Sequence, residues 1–417
     1  MRKWGFRILL LYLVIEYSRP MDEIPILNAV HIGLVVGAIL VFTWMGRKSL
    51  FRALTGSPQI RCIWLMVLLL AAYVPFARNT YFAANTTLAL LRYIPIFVSI
   101  VLYVDTWRRL RTFVNVWLLL LVYVSLKGIL GKGIGGSSFL ADENDFSLLM
   151  NMMIPFGGAL FLYSHDLKKR IVWLGASMVG IVGDVIAQSR GGFIGILAVG
   201  ATFWIYTKKT FLSIFVIVAL GAVLYLTTTP AYWADISTST QTRTGTAAER
   251  LDSWYAAWQM FKAQPLGVGG GNFPIWFPRY QPHTMKRSMW GRRAHSLWFT
   301  LLPELGLFGV AIYLWLLFVN LRDVFWLKKL PAGRDDNIRY VNHLAVAFLA
   351  SFAGYFASGT FLSVLYYPHY FYLSGLIVAT RRIAERSLAS QKAEAPVRPR
   401  PPRPGEEPSL RRATMPS

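Results

Sequence analysis

Apolar residues run along this chain in blocks separated by short polar connectors. A helix that crosses a bilayer needs about 20 mostly apolar residues. The blocks predict twelve such helices, near residues 4–18, 25–45, 62–78, 86–104, 110–130, 146–164, 170–188, 191–207, 210–229, 296–319, 341–361 and 364–380, the first and last being short. One interruption is long, from Pro230 to His295. The expected fold is therefore an all-α polytopic membrane protein: helices 1–9 over residues 1–229, a long loop over 230–295, helices 10–12 over 296–380, and a tail over 381–417. The tail carries Val397-Arg-Pro-Arg-Pro-Pro-Arg-Pro, too many prolines for helix and too little apolar surface to pack, and is expected to be a disordered basic extension.

Composition agrees with a bilayer environment. At 417 residues the chain is 55% hydrophobic and only 15% charged, with mean hydropathy +0.44, which excludes an ordinary soluble domain. A net charge of +23 first suggests nucleic acid, but the cations sit in connectors and in the tail, where they set membrane topology, so no nucleic-acid partner is expected. With the amino terminus in the cytoplasm, the inner connectors hold Arg47/Lys48/Arg52/Arg61, Arg108/Arg109/Arg111, Lys168/Lys169/Arg170, Lys208/Lys209 and Arg322/Lys328/Lys329/Arg334/Arg339. The short outer connectors carry only Arg19, Arg78, Lys132 and Arg190, which places both termini inside and residues 230–295 outside. Met1 to Tyr17 lacks a small-residue cleavage site, so no cleavable signal is expected, and the lone Cys62 excludes an internal disulfide framework.

Several polar residues need a reason to be where they are. Asp142, Glu143, Asn144 and Asp145 stand immediately before an apolar run; acidic residues suit a helix start, and a metal or a sugar is the alternative use of Asp142 and Asp145. Arg92, Asp184 and Glu304 fall inside apolar blocks, where an ionisable group is costly; they pair with one another or they serve function. Ser189-Arg190-Gly191-Gly192 forms a tight outer turn that sets a guanidinium at headgroup level, to hold a ligand or to snorkel toward lipid phosphate. Gly131, Gly133, Gly135 and Gly136 match no phosphate-loop pattern.

The long outer region carries the densest chemistry. Thr246-Ala-Ala-Glu249 is a capping-box pattern, and Leu251, Trp254, Tyr255, Trp258 and Phe261 recur at helical spacing, which predicts an interfacial helix over 247–262. Arg250 in its first turn is disfavoured by the helix dipole and asks for an anionic partner: Glu249, Asp252 or a ligand. After the glycine-rich turn Pro265-Leu-Gly-Val-Gly-Gly-Gly-Asn come Arg279, Lys286, Arg287, Arg292, Arg293 and His295. This outer cluster breaks the positive-inside pattern and so suggests a bound anion. Neutral histidine titrates near working pH and suits a general base, while a histidine at a helix start also occurs with no chemical role.

These residues resemble the bacterial O-antigen ligase and O-antigen polymerase superfamily of undecaprenyl-diphosphate-linked glycan transferases. The resemblance rests on Gln188-Ser-Arg-Gly-Gly, on Glu249-Arg-Leu with Trp254, Trp258, Phe261, Pro265 and Gly267-Val-Gly, and on Ala294-His-Ser-Leu-Trp with Leu302-Pro-Glu-Leu-Gly. Its histidine motif often continues with asparagine, where this chain has Ser296. The resemblance implies that Arg190 and Arg250 hold the diphosphate and His295 activates the acceptor hydroxyl, with Arg279, Arg292, Arg293, Glu304, Asp142 and Asp145 in support. It also implies a bacterial inner-membrane location, a periplasmic site, and an acceptor hydroxyl on a glycan, a lipid core or a protein. Arginine supplies a permanent charge and a fork that fits phosphate oxygens, so neither a metal nor a cofactor is expected. The rival class is a flippase or transporter of lipid-linked sugars, which twelve spans would suit; it predicts repeated halves and broken helices, whereas no convincing internal repeat is seen and the basic residues concentrate in one outer loop.

Overall fold

The computed structural model describes residues 2–131, 140, 142–207, 246–283, 291–333 and 335–394. The expected span at 210–229, the opening of the outer region through residue 245, Lys132, Gly133, Gly135, Gly136, Lys208, Lys209, Lys286, Arg287, Arg334 and the tail past 394 lie outside the described residues. Every regular element among the described residues is helical: α1 (Arg2–Ser18), α2 (Pro25–Ala29), α3 (Ile32–Phe42), α4 (Leu50–Thr55), α5 (Pro58–Tyr73), α6 (Thr80–Leu91), α7 (Tyr93–Tyr103), α8 (Trp107–Leu130), α9 (Glu143–Tyr163), α10 (Leu167–Ile186), α11 (Arg190–Thr207), α12 (Thr246–Ala263), α13 (Phe273–Tyr280), α14 (Leu297–Lys328), α15 (Asp336–Gly359) and α16 (Pro368–Glu394). The protein is an all-α, multi-pass membrane protein. Among the described residues six stretches are long and apolar enough to cross a bilayer: Pro58–Phe76, Thr80–Tyr103, Trp107–Leu130, Glu143–Tyr163, Leu297–Lys328 and Asp336–Gly359. The figure of twelve stays an expectation.

Helix starts follow local chemistry. Ser57, Asn79, Thr106, Asp166 and Asp335 each accept a hydrogen bond from an amide of the turn they precede, satisfying donors that a helix start leaves open. Helix α15 lies at the centre against α9 and α11, and α10 covers α9 and α8. Close approach there needs small residues: a Cβ on Gly195 would come within 2.1 Å of Ser358 Oγ and 2.5 Å of Asn151 Nδ2. Asn151 uses that proximity, its amide donating to Gly192 O at 2.8 Å and Ser358 Oγ at 3.3 Å, so a buried polar side chain ties three helices together.

Four expectations are corrected. The block at 25–45 is divided into α2 and α3 by His31, which adopts the left-handed conformation at φ 48°. The last span begins at Pro368 and not at 364, because proline pre-sets a first-turn φ while 361–367 is turn. That helix continues through Arg381 to Glu394, so residues 381–394 are helical and not an irregular extension; Arg381 reaches back to Glu385 at 2.7 Å, an i,i+4 pair. Finally, Arg92 pairs with neither Asp184 nor Glu304: Asp184 is buried against Gly192, and Glu304 binds backbone amides.

Candidate functional site

The residues singled out by sequence meet at the end of the bundle where α9, α11, α12 and α14 all begin. Each helix start brings the positive end of a dipole, and four together favour an anion at this corner. Two contacts join the starts. Ser189 Oγ accepts from Gly192 N at 3.0 Å, capping α11, and donates to Asn144 Oδ1 on α9 at 2.7 Å. Trp254 on α12 donates its indole N–H to Ala294 O at 3.0 Å and stacks on Phe299 of α14 at 5.1 Å.

His295 is held by its backbone. It lies at φ 47°, a left-handed conformation that histidine tolerates better than most residues but that still costs about 1 kcal/mol. Its N–H donates to Ser363 Oγ at 2.9 Å, while the next residue, Ser296, caps α14 by accepting from Phe299 N at 3.4 Å. Serine and asparagine are equivalent helix caps, which accounts for Ser296 standing where the resemblance leads one to expect asparagine. Gln188, two residues before Arg190, is left-handed in the same way at φ 54°. Both motifs thus turn sharply through one strained residue into a helix.

The electrostatics are those of crowded cations. Arg190, Arg250, Arg292 and His295 are half-buried and Arg293 is exposed. Burial, followed by the charges of Arg190 and Arg292, pushes the Arg250 guanidinium down from its usual value. Burial also pushes the His295 imidazole down, reinforced by Arg250, Arg292 and Arg293 and opposed only by Asp142. His295 is therefore neutral, a proton acceptor, across a wider pH range than a free imidazole. Arg250 makes no ion pair among the described residues, so the expected pairing with Glu249 or Asp252 does not form there. Glu249 instead takes Arg292 at 2.7 Å, and Arg292 also donates to Ser253 Oγ at 2.9 Å.

Not every sequence candidate arrives. Arg292 borders the site but its fork is occupied in fastening the 291–295 segment to α12. Arg279 stacks over Trp276 at 5.6 Å beside Arg78 and contributes to a separate surface recess. Asp142 caps α9 through Asn144 N at 2.8 Å and Asp145 N at 3.4 Å, while its charge still reaches His295 and Arg250. Asp145 hydrogen-bonds Tyr367 and faces Arg293. Glu304, 2% exposed, lies beneath the glycine turn: it accepts from Gly271 N at 2.9 Å, Phe273 N at 3.3 Å and Tyr366 Oη at 2.8 Å. A glycine-rich run that invites comparison with a phosphate loop is thus filled by the protein's own carboxylate. Gly306 breaks α14 at φ 60° to let this happen, and a Cβ there would meet Leu266 C at 2.3 Å.

Sequence reading missed Ser363, Tyr366 and Tyr367, which reach the site from the turn before α16. The signal available was Tyr366-Tyr367-Pro368, a polar-tipped pair ahead of a proline inside what reads as one apolar block. The aromatic stripe of α12 divides: Leu251, Tyr255 and Trp258 face outward, Trp254 turns into the bundle, and Ala256, Ala257 and Met260 pack on Phe273, Phe277 and Ala294.

A search of curated proteins finds no match to this chain. Among known protein families, residues 175–314 match the family model described as O-antigen ligase, a stretch that contains Arg190, Arg250, His295 and Glu304. Over that stretch the match bears out the resemblance to the O-antigen ligase superfamily.

Proposed function

We propose that the protein transfers an oligo- or polysaccharide from undecaprenyl diphosphate to an acceptor hydroxyl at the outer face of the bacterial inner membrane. The observation that carries this reading is the meeting of Arg190, Arg250 and His295 at one end of the bundle, with Arg250 outside any ion pair among the described residues. In the step proposed, the acceptor oxygen attacks the anomeric carbon and its proton passes to His295. The bond from that carbon to the diphosphate oxygen breaks, and undecaprenyl diphosphate leaves with the electron pair. A single displacement inverts the anomeric centre.

Each role follows from residue chemistry. The leaving diphosphate carries its charge away from the sugar, and two guanidiniums aimed at it stabilise that charge more in the transition state than in the ground state. Four helix starts add fixed dipoles with no reorganisation. A neutral imidazole accepts the acceptor proton. Arginine charge replaces the role a metal ion often plays with diphosphates, so activity is expected to persist in a chelator. Loss with EDTA and recovery with magnesium or manganese would move the chemistry toward Asp142 and Asp145.

The test is transfer in purified, reconstituted protein given an undecaprenyl-diphosphate-linked glycan and a hydroxyl acceptor. Release of undecaprenyl diphosphate together with an acceptor-linked glycan of inverted configuration supports the reading. Movement of intact donor between leaflets with no cleavage assigns the protein to the flippase class instead.

A further inference from the structure

A second cavity, of about 750 Å³, opens at the same end of the bundle and lies outside the chemistry above. It is enclosed by α1 at its C-terminal end, by α2 and α3, and by the break between α6 and α7. Its size falls within the range of small-molecule pockets, roughly 300 to 1,000 Å³. Two guanidiniums stand on its wall, those of Arg19 and Arg92, with Leu27, Ile32 and Val41 supplying apolar lining.

Sequence placed Arg92 in the middle of one apolar block. In the fold it occupies the α6–α7 junction and lines the same space as Glu16, Arg19 and Asp22, which belong to the last turn of α1 and the turn that follows. Arg92 lies midway along the apolar stretch Thr80–Tyr103, whereas Arg19 directly follows α1. Tyr93, the neighbour of Arg92, donates its hydroxyl to Tyr366 O at 2.9 Å, on the turn whose next residue bonds Asp145. The cavity and the candidate active site therefore share an end.

The charges on the wall are unequally matched. Arg19 lies 3.4 Å from Asp22, and Glu16 accepts from the Tyr12 hydroxyl at 3.4 Å. Arg19 is also the guanidinium whose charge reaches Glu16. Arg92 is exposed into this space, and its guanidinium makes no hydrogen bond or ion pair among the described residues. A guanidinium at this depth is costly unless an anion or deep water attends it, and its fork fits two phosphate oxygens.

We propose that this cavity holds the phosphate of an anionic lipid, with Arg92 as its principal contact and the chain lying along α2 and α3. The ligand class is a lipid carrying net negative charge at one phosphate and at least one hydrocarbon tail. A zwitterionic lipid offers the tail without the net charge, and inorganic phosphate offers the charge without the tail.

The test measures binding to the full-length protein in detergent, with short-chain phosphatidylglycerol, short-chain phosphatidylcholine and inorganic phosphate as three separate probes. Phosphatidylglycerol is expected to bind roughly tenfold more tightly than phosphatidylcholine, the usual worth of a hydrogen bond to a charged group, with no saturable binding of inorganic phosphate. Arg92→Ala should bring phosphatidylglycerol down to the level of phosphatidylcholine, and Arg92→Lys should recover part of the loss. Ala38→Trp, which fills the cavity from its exposed α3 wall without touching a charge, should abolish both lipids. Equal binding of the two lipids overturns the proposal, as does wild-type affinity in Arg92→Ala. Inorganic phosphate binding as tightly as phosphatidylglycerol makes this a simple anion site and overturns the lipid assignment. Arg92 and Ala38 lie outside the His295 site, so failure here leaves the transferase reading standing.

Discussion

Replacing Glu304 by alanine should loosen the glycine turn on which α13 and the approach to His295 rest. The side chain is 2% exposed and satisfies three donors, the amides of Gly271 and Phe273 and the Tyr366 hydroxyl, at 2.9, 3.3 and 2.8 Å. A hydrogen bond contributes about 0.5–1.5 kcal/mol to a neutral acceptor and about 1.5–3 to a charged one, so three span roughly 1.5–9 kcal/mol. The Tyr366 hydroxyl can rotate, and the turn can rise to meet water, so we expect a net loss of about 3–5 kcal/mol. Glu304→Gln keeps the shape and one acceptor oxygen and should lose about half as much. Unfolding in mixed detergent micelles, followed by tryptophan fluorescence, reads the change, and limited proteolysis between residues 263 and 273 reports where it occurs. Tyr366→Phe completes a double-mutant cycle, with a coupling of about 1 kcal/mol expected for groups in contact. If Glu304→Ala stays within about 1 kcal/mol of the parent and the turn resists protease, the carboxylate is not what holds it.

Three further outcomes follow from the site. His295→Ala should retain donor affinity while losing roughly a hundredfold or more in single-turnover transfer, the usual contribution of a positioned base; full transfer in this variant removes the assignment. Arg190→Lys and Arg250→Lys should weaken donor binding and transfer together, because a point charge cannot reproduce a two-oxygen fork, and unchanged donor affinity in both separates them from the diphosphate. The pH response has a definite sign: His295 lies below its ordinary 6.5, so kcat/KM should hold down to lower pH than a free imidazole allows, and only then fall. By the same linkage, the unfolded chain takes up this proton first, so the contribution of His295 to stability is present above about pH 6.5 and is lost as pH falls below it. An acid limb at or above 6.5 in the donor-free enzyme contradicts that environment.

Much of this was legible from spacing alone. The interfacial helix expected over 247–262 forms as Thr246–Ala263, and α9 and α15 stand within a few residues of the expected spans at 146–164 and 341–361, because a 3.6-residue repeat and a long apolar run are local signals. Partnerships were not legible, since they join segments far apart in the chain. Glu304 reads as an isolated charge in an apolar block until Gly271 and Phe273, over thirty residues away, are folded onto it. Arg292 reads as one more cation of an anion-binding cluster until Glu249 is found beside it. His31 gives no warning either: an apolar run hides a single left-handed residue that divides it in two.

The distribution of ion pairs shows which charges build this site. Glu249 neutralises Arg292 and so fastens the His295 segment to α12, while Glu304 takes the amides of the turn below; together they spend the nearby carboxylates on structure. Asp142 and Asp145 are drawn off in turn, one capping α9 and the other bonded to Tyr367. Around Arg250 and His295, burial first and the neighbouring guanidiniums second push both groups toward their neutral forms. In the proposed reaction, a bound diphosphate would offset this crowding of positive charge. The same relief acts on the base: a bound anion offsets the guanidiniums facing His295, so the imidazole becomes more basic once the donor is in place. In the proposed reaction, donor binding and proton removal would thereby be coupled through charge alone, with no movement of the helices required.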